Sequence, residues 1–282
     1  MPPAESTAIS DTTAITAPSR SAWWWPLETL AAAGGILYWG VFGLLFTLAA
    51  FPLWLILPCR RGRCLGRTLL HLAFRVFVRY LRATGLVYAD LDSLQPLRDR
   101  KDPVIIAPNH TSLWDAVFVI SCLPQPICIM KESILCNPFL GGGARLAGYI
   151  PNGSSSRLIR EASEALSDGG QLLLFPEGTR TRHEARWTNP IKGGCALIAR
   201  HADVPVLPVF IRSNTRFLEK GWPLWKRPEF PIRMSFELGE ELDANADATA
   251  KDFSLRLEAI FKDNLSRPHK LRRQVVDSPD FR

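Results

Sequence analysis

Between Glu28 and Arg60 the chain runs for 31 residues, Thr29 to Cys59, without a charged side chain. A helix needs about 20 apolar residues to cross a ~30 Å hydrocarbon core, so this run is longer than a soluble strand or core helix requires. Gly34, Gly35, Gly40, Gly43, Pro52 and Pro58 interrupt it and would permit a bend or a re-entrant path. Trp23, Trp24 and Trp25 precede it and Trp54 lies near its far end, which suits rings seated at two water–lipid interfaces. A cleaved signal peptide is the poorer reading, because its apolar stretch is only ~7–15 residues and follows positive charge. Here Met1–Ser21 is rich in Ala, Ser and Thr, with one Arg and two acids. That segment is expected to be disordered, and the run after it to anchor the chain in a membrane.

The charge is as local as the apolarity. The 282 residues carry 34 Lys and Arg against 27 Asp and Glu, a net +7. Arg60, Arg61, Arg63, Arg67, Arg75, Arg79 and Arg82 follow the apolar run with no acid before Ala89, and they account for the whole surplus. Arg67, His71, Arg75, Arg79 and Arg82 recur at helical spacing among Leu70, Phe74, Phe77 and Leu81. This predicts an amphipathic helix whose Arg stripe could meet lipid phosphates or, failing that, form a solvated face. The positive-inside tendency places this collar on the cytoplasmic side. A basic excess confined to a membrane collar leaves no nucleic-acid surface, so no nucleic-acid partner is expected. The six cysteines form no Cys-x-x-Cys pair and no zinc spacing. Reduced thiols are the simplest account, although Cys59 and Cys64 stand where lipidation occurs.

From about Asp90 short apolar runs alternate with helical stretches. Strands are predicted at Val104–Ala107, Ile127–Met130, Gln171–Phe175, Val204–Ile211 and Ile232–Leu238. Helices are predicted at Leu113–Cys122, Phe139–Ala147, Arg157–Leu166, Ile191–His201 and Ala250–Asn264. The alternation predicts an α/β fold with a mostly parallel central sheet flanked by helices, behind the membrane-anchoring helical segment. The expected organisation is a disordered tail (1–26), an anchor (27–88), a catalytic domain (89–266) and a polar C-terminal tail (267–282). Arg216–Phe230 reads as a surface loop.

Two segments could carry chemistry. Strand Val104–Ala107 leads into Pro108-Asn109-His110-Thr111-Ser112-Leu113-Trp114-Asp115. Because His110 precedes the helix start, the chain can bend so that Asp115 meets the imidazole, fixes one tautomer and leaves the other nitrogen to take a proton. The same Ser112-x-x-Asp115 spacing is that of a helix-capping box, so Asp115 could instead cap the helix. Downstream, the strand at 171–175 ends in Phe175-Pro176-Glu177-Gly178-Thr179-Arg180. A Gly that permits close approach, a hydroxyl and an Arg with a two-pronged guanidinium suit an anion-binding loop, and a plain turn with a surface Arg is the alternative. The Gly-x-Ser-x-Gly nucleophile string, the Walker phosphate loop and the dinucleotide fingerprint are absent, which argues against a serine hydrolase or a nucleotide enzyme.

In this order and spacing, His110-x4-Asp115 and Phe175–Arg180 resemble the glycerophospholipid acyltransferase family, of the lysophosphatidate acyltransferase type. The likeness extends from about Pro103 to Ile211 and takes in Lys131, Asn137-Pro138-Phe139 and Val204–Val209. The apolar segment resembles the membrane-embedding helices of bacterial members. The resemblance implies that His110 is a general base oriented by Asp115, and that Glu177, Gly178, Thr179 and Arg180 form the acceptor site. It implies Lys131 and Arg180 as phosphate ligands and places Val204–Val209 near the acyl chain. The implied activity is membrane-bound transfer of a fatty acyl group from acyl-CoA or acyl carrier protein to a lysophospholipid hydroxyl, with 1-acyl-sn-glycerol-3-phosphate the first acceptor to consider. Other lysolipids, and a membrane thioesterase or lipase, are the alternatives. No metal or cofactor is expected, the bilayer is the expected partner, and the implied location is a bacterial inner membrane with the catalytic domain on its cytoplasmic side. One departure stands out: Gly148-Tyr149-Ile150-Pro151-Asn152-Gly153-Ser154 places Ser154 where many members carry an Arg, with Arg157 three residues on.

Overall fold

The structure, a computed structural model, describes residues 25–267 except 154, 183, 224 and 225. Trp23, Trp24, Ser154 and nearly all of the two expected tails lie outside the described residues.

The apolar run forms one continuous helix, α1 (Trp25–Ile56), which passes through Pro52 without ending. At 1.5 Å per residue it is about 48 Å long. The chain turns at Leu57 and Pro58 into α2 (Cys59–Ala83), and the two helices run antiparallel. The Tyr80 hydroxyl donates to the Ala31 carbonyl at 2.7 Å and the Tyr38 hydroxyl to Ala73 at 2.9 Å, so contacts late in α2 fall early in α1. Glu28, Gly35, Gly43 and Ala50 mark the packed face of α1. Leu30, Leu37, Val41, Leu44, Leu48 and Leu55 point outward and exposed. This is a helix long and apolar enough to cross a membrane, with a lipid-compatible surface along one side.

Two members of the polar stripe of α2, Arg67 and His71, face inward rather than toward lipid, while Arg75 and Arg82 are half-buried and Arg79 is exposed. His71 is buried and its Nδ1 lies 2.9 Å from the Ile120 carbonyl. Arg67 Nε donates to the Ala147 carbonyl at 3.0 Å. Both carbonyls lie at the C-terminal ends of helices, Ile120 in the last turn of the helix at 114–122 and Ala147 just after the helix at 141–146, where the dipole is negative. Burial holds the His71 imidazole below its ordinary pKa, which suits a neutral ring in this position. The face of α2 left exposed carries Leu65, Leu72 and Val76 together with Arg79.

The remaining elements are β1 (Val87–Asp90), a 3-10 turn at Asp92–Leu94, α3 (Gln95–Asp99), β2 (Val104–Pro108), α4 (Trp114–Cys122), β3 (Ile127–Met130) and α5 (Glu132–Leu135). They continue with α6 (Gly141–Leu146), β4 (Ile150–Pro151), α7 (Ser155–Ser167), β5 (Gln171–Leu173), α8 (Gly194–Ala202), β6 (Val206–Ser213), β7 (Ile232–Leu238) and α9 (Ala250–Ser266). The sheet order is β1-β7-β6-β2-β5-β3-β4, and every neighbouring pair is parallel except β6 with β7. The expected mostly parallel α/β sheet is therefore present, with a reversed β7–β1 edge. The expected boundary at residue 88 falls inside β1, which is hydrogen-bonded into the sheet.

Alternation along the strands feeds two cores. Ile106 and Val209 pack on one face with Phe77, Leu81 and Phe118 of α2 and α4. Ile105, Ala107 and Val206 pack on the other with Ile198, Phe253 and Phe261 of α8 and α9. The result is a three-layer domain with β2 in its middle. Parallel β2, β3 and β5 end at one edge, so the segments that follow them, beginning at Asn109, Lys131 and Leu174, emerge together. Open α/β sheets place ligands at that edge.

Candidate active site

Two loops, 109–115 after β2 and 174–181 after β5, form the site. Asn109 is fully buried and extends the sheet with its side chain: Nδ2 donates to the Ile211 carbonyl at 2.9 Å and Oδ1 accepts the Ile211 N–H at 2.7 Å. This fixes the backbone just before His110. The chain then turns into α4, and Asp115 swings back beneath the imidazole.

His110 Nδ1 stands 3.1 Å from Asp115 Oδ2. Asp115 has no exposed surface, and its side chain also accepts the Ser112 N–H at 2.7 Å and the Thr111 hydroxyl at 3.4 Å. A carboxyl facing such donors acts as an acceptor, so it selects the imidazole tautomer with hydrogen on Nδ1 and a lone pair on Nε2. The same oxygen that accepts Ser112 N–H at the helix start accepts from His110.

The second loop locks the first. The Phe175 ring stacks on the imidazole at 3.9 Å between centroids and 26° between planes. Glu177, buried, accepts the His110 N–H at 2.8 Å, the Asn189 N–H at 2.8 Å and the Thr181 hydroxyl at 2.9 Å. Thr181 N–H in turn donates to the His110 carbonyl at 2.5 Å. Burial raises the Glu177 pKa above the ordinary carboxylate value, while its donors and His110 oppose that rise. Gly178 closes the turn, donating its N–H to the Phe175 carbonyl at 2.9 Å with φ of +67°. A side chain there would be strained and would meet Lys192, since a Cβ would sit 2.8 Å from its ammonium nitrogen.

Arg180 turns away from a purely ligand-facing role. Its Nη1 donates to the Leu218 carbonyl at 2.7 Å and to Glu219 at 3.1 Å, which pins the loop after β6. That loop is the expected surface segment, and it also receives the Ser112 hydroxyl at the Phe217 carbonyl (2.9 Å) and the Leu113 N–H at the Leu218 carbonyl (3.2 Å). Lys131 precedes α5 with an exposed side chain at the common strand edge. Thr179 is half-buried beside Arg180. Arg157 pairs with Glu161 at 2.7 Å on the exposed side of α7. Val204–Val209 is largely the buried strand β6, joined to β2, so its side chains fill the two cores.

The structure thus brings together His110, Asp115, Glu177, Gly178, Thr179 and Arg180. Sequence reasoning did not assign Asn109, Phe175, Thr181, Asn189 or Lys192. Asn109 and Phe175 lie within the two motif segments, but nothing local marks what they contact.

An acyltransferase family model matches residues 86–212, from β1 to β6. The 1-acyl-sn-glycerol-3-phosphate acyltransferase of Pseudomonas aeruginosa is 24% identical over 181 residues, 61% of this chain and 68% of that protein. The enzyme of the same name from Streptococcus pneumoniae is 30% identical over 153 residues, 48% of this chain and 54% of that protein. A chloroplastic one from Brassica napus is 26% identical, covering 52% of this chain and 45% of that protein. The match spans about half the length of the last two. In fold, the chain is similar to the crystal structure of the 1-acyl-sn-glycerophosphate acyltransferase PlsC from Thermotoga maritima, with a TM-score of 0.61, 20% identity, and coverage of 87% of this chain and 98% of that one. The matched segment contains both loops of the site, and over it the chain is similar to these acyltransferases.

Proposed function

We propose that this chain is a membrane-bound O-acyltransferase that moves a fatty acyl group from an acyl thioester to the hydroxyl of a lysophospholipid, 1-acyl-sn-glycerol-3-phosphate first among acceptors. The observation that carries this reading is the His110–Asp115 pair at 3.1 Å, clamped from the other side by Glu177 and Thr181. The names of the relatives supply the acceptor class.

The chemistry follows from the pair. His110 Nε2 takes the proton of the acceptor hydroxyl as its oxygen attacks the thioester carbonyl. Asp115 holds the ring and stabilises the imidazolium that forms. Collapse of the tetrahedral species breaks the C–S bond, and the imidazolium returns its proton to the leaving thiolate. A thiolate leaves readily, so direct transfer needs no acyl-enzyme, metal or prosthetic group. Acyl-CoA and acyl carrier protein are both competent donors in this scheme. Lys131, Glu177, Gly178, Thr179 and Arg180 frame the acceptor, and cations near the loop hold its phosphate so that the hydroxyl stands beside His110. The outward face of α1 keeps the site at a bilayer surface, with the basic collar on the cytoplasmic side of a bacterial inner membrane.

The test is the purified protein with a panel of lysolipids and both thioesters, read by mass spectrometry. Acyl transfer to lysophosphatidate that disappears in His110→Ala supports the reading. Thioester hydrolysis that is indifferent to any lysolipid would replace it with a thioesterase.

A further inference from the structure

We propose that Lys192, which no motif singles out, is a direct ligand of the acceptor's anionic headgroup; the proposal rests on the lysophospholipid reading above. Its position is fixed from both sides. Its backbone N–H donates to the Pro176 carbonyl at 3.0 Å, and three residues earlier the Asn189 N–H donates to Glu177 at 2.8 Å. The root of this side chain is therefore tied to the loop that holds His110. The stem then crosses the bare Gly178, where Cδ and Cε would lie 3.0 Å and Nζ 2.8 Å from a Cβ. Any side chain at 178 would displace it, so the absence of one has a purpose beyond the turn. The ammonium ends at the exposed rim of the loop, and among the described residues no carboxylate pairs with it.

The charge requirement of the site points the same way. The two site carboxylates, Asp115 and Glu177, are buried and already saturated with donors. Arg180 has one guanidinium nitrogen held by two loop carbonyls. Arg157 is paired with Glu161. A phosphomonoester carries close to two negative charges at neutral pH, and besides the partly engaged Arg180 the site offers only the exposed Lys131 on the loop after β3, so a further cation at the rim strengthens the hold on the headgroup. Lys192 supplies a mobile point charge with three donors, on the same loop as Arg180 and free to follow the headgroup.

The closing experiment compares wild type, Lys192→Met and Lys192→Arg with 1-acyl-sn-glycerol-3-phosphate and an acyl thioester, varying each substrate in turn. Methionine keeps the stem over Gly178 and removes only the charge. The expected result is an acceptor KM raised about tenfold to a hundredfold in K192M, a thioester KM within twofold of wild type, and recovery of most of the loss in K192R. An acceptor KM unchanged in K192M overturns the proposal, and so does a rise confined to the thioester KM, which would assign the cation to the donor. A wild-type protein that transfers nothing to lysophosphatidate would instead overturn the function on which this rests, so the two failures are distinguishable.

Discussion

Glu177 accepts the backbone N–H of His110 at 2.8 Å although 67 residues separate them in the chain. Thr181 N–H meets the carbonyl of the same residue at 2.5 Å. The peptide groups on both sides of the imidazole are thus held by one loop, and its Phe175 covers the ring. His110 is aligned by a frame that engages Nδ1 and leaves Nε2 as the ring nitrogen for the acceptor's proton. Preorganisation of this kind is what lets a general base act without first reorganising its surroundings.

Glu177→Gln tests that frame. One carboxylate oxygen accepts from His110 N–H and the other from Asn189 N–H, so the new amide NH2 faces a backbone donor in either orientation. A buried unmet donor costs about 1–3 kcal/mol. Unfolding midpoints should drop accordingly, and transfer activity should fall at least tenfold because the His110 backbone shifts.

The same carboxyl predicts a pH effect with a definite sign. Its pKa is raised in the folded chain, so the folded state holds the proton more tightly than the unfolded one. Stability from this group is greatest below the ordinary carboxylate value and is lost as pH rises through the higher folded value. The difference in unfolding free energy between wild type and Glu177→Gln should therefore move against wild type as pH is raised across that window. A difference that stays flat would mean Glu177 titrates normally.

Asp115→Asn separates orientation from charge. Ser112 N–H at Asp115 Oδ2 requires the amide oxygen at that position, so His110 Nδ1–H keeps an acceptor and the tautomer is preserved. What disappears is the negative charge opposite the imidazolium. The expected fall in kcat is within the range of about 10²–10⁴ set by general-base catalysis, with thermal stability little changed. His110→Ala should show the largest fall of that range, and near-normal turnover in either variant would remove the dyad from the mechanism.

Much of this site is legible in the chain, and the part that is not has a common cause. His110 and Asp115 lie five residues apart across a helix start, and Phe175–Arg180 follows an apolar strand; both are local patterns. The Asn109 bonds to Ile211 span 102 residues and those of Arg180 to Leu218 span 38, and no spacing rule records them. Periodicity located the stripe of Arg67 and His71 on α2 but not the side that neighbours cover. Apolar residues lie on both sides of that stripe, and the acceptors that draw it inward are helix-end carbonyls contributed by other parts of the chain. Lys192 is visible only once Gly178 has been placed beneath it.

Arg180→Lys distinguishes pinning from charge. Lysine keeps a cation but cannot reach the Leu218 and Glu219 carbonyls with one rigid fork. The loop over residues 214–222 should become more susceptible to limited proteolysis in both Arg180→Lys and Arg180→Ala. Acceptor KM should rise in both, and more in the alanine variant, which loses the charge as well. Unchanged proteolysis would mean that the loop is held in place without Arg180.

Two glycines three residues apart on α1 give opposite predictions. A Cβ at Gly43 would lie 2.5 Å from the Phe139 carbonyl oxygen, a backbone atom with no room to move, whereas a Cβ at Gly40 meets nothing within 4 Å. The contact at Gly43 belongs to a close seating of α1 on the segment that leads into α6, where Gly142 likewise lies against Thr47. Small residues that let backbones approach are the usual basis of helix packing in lipid. Gly43→Ala should separate α1 from that segment and cost about 1–3 kcal/mol, read as a lower unfolding temperature in detergent and reduced specific activity in vesicles. Gly40→Ala should be neutral or slightly stabilising through helix propensity alone. Equal effects from the two variants would show that α1 does not sit on the domain by this contact.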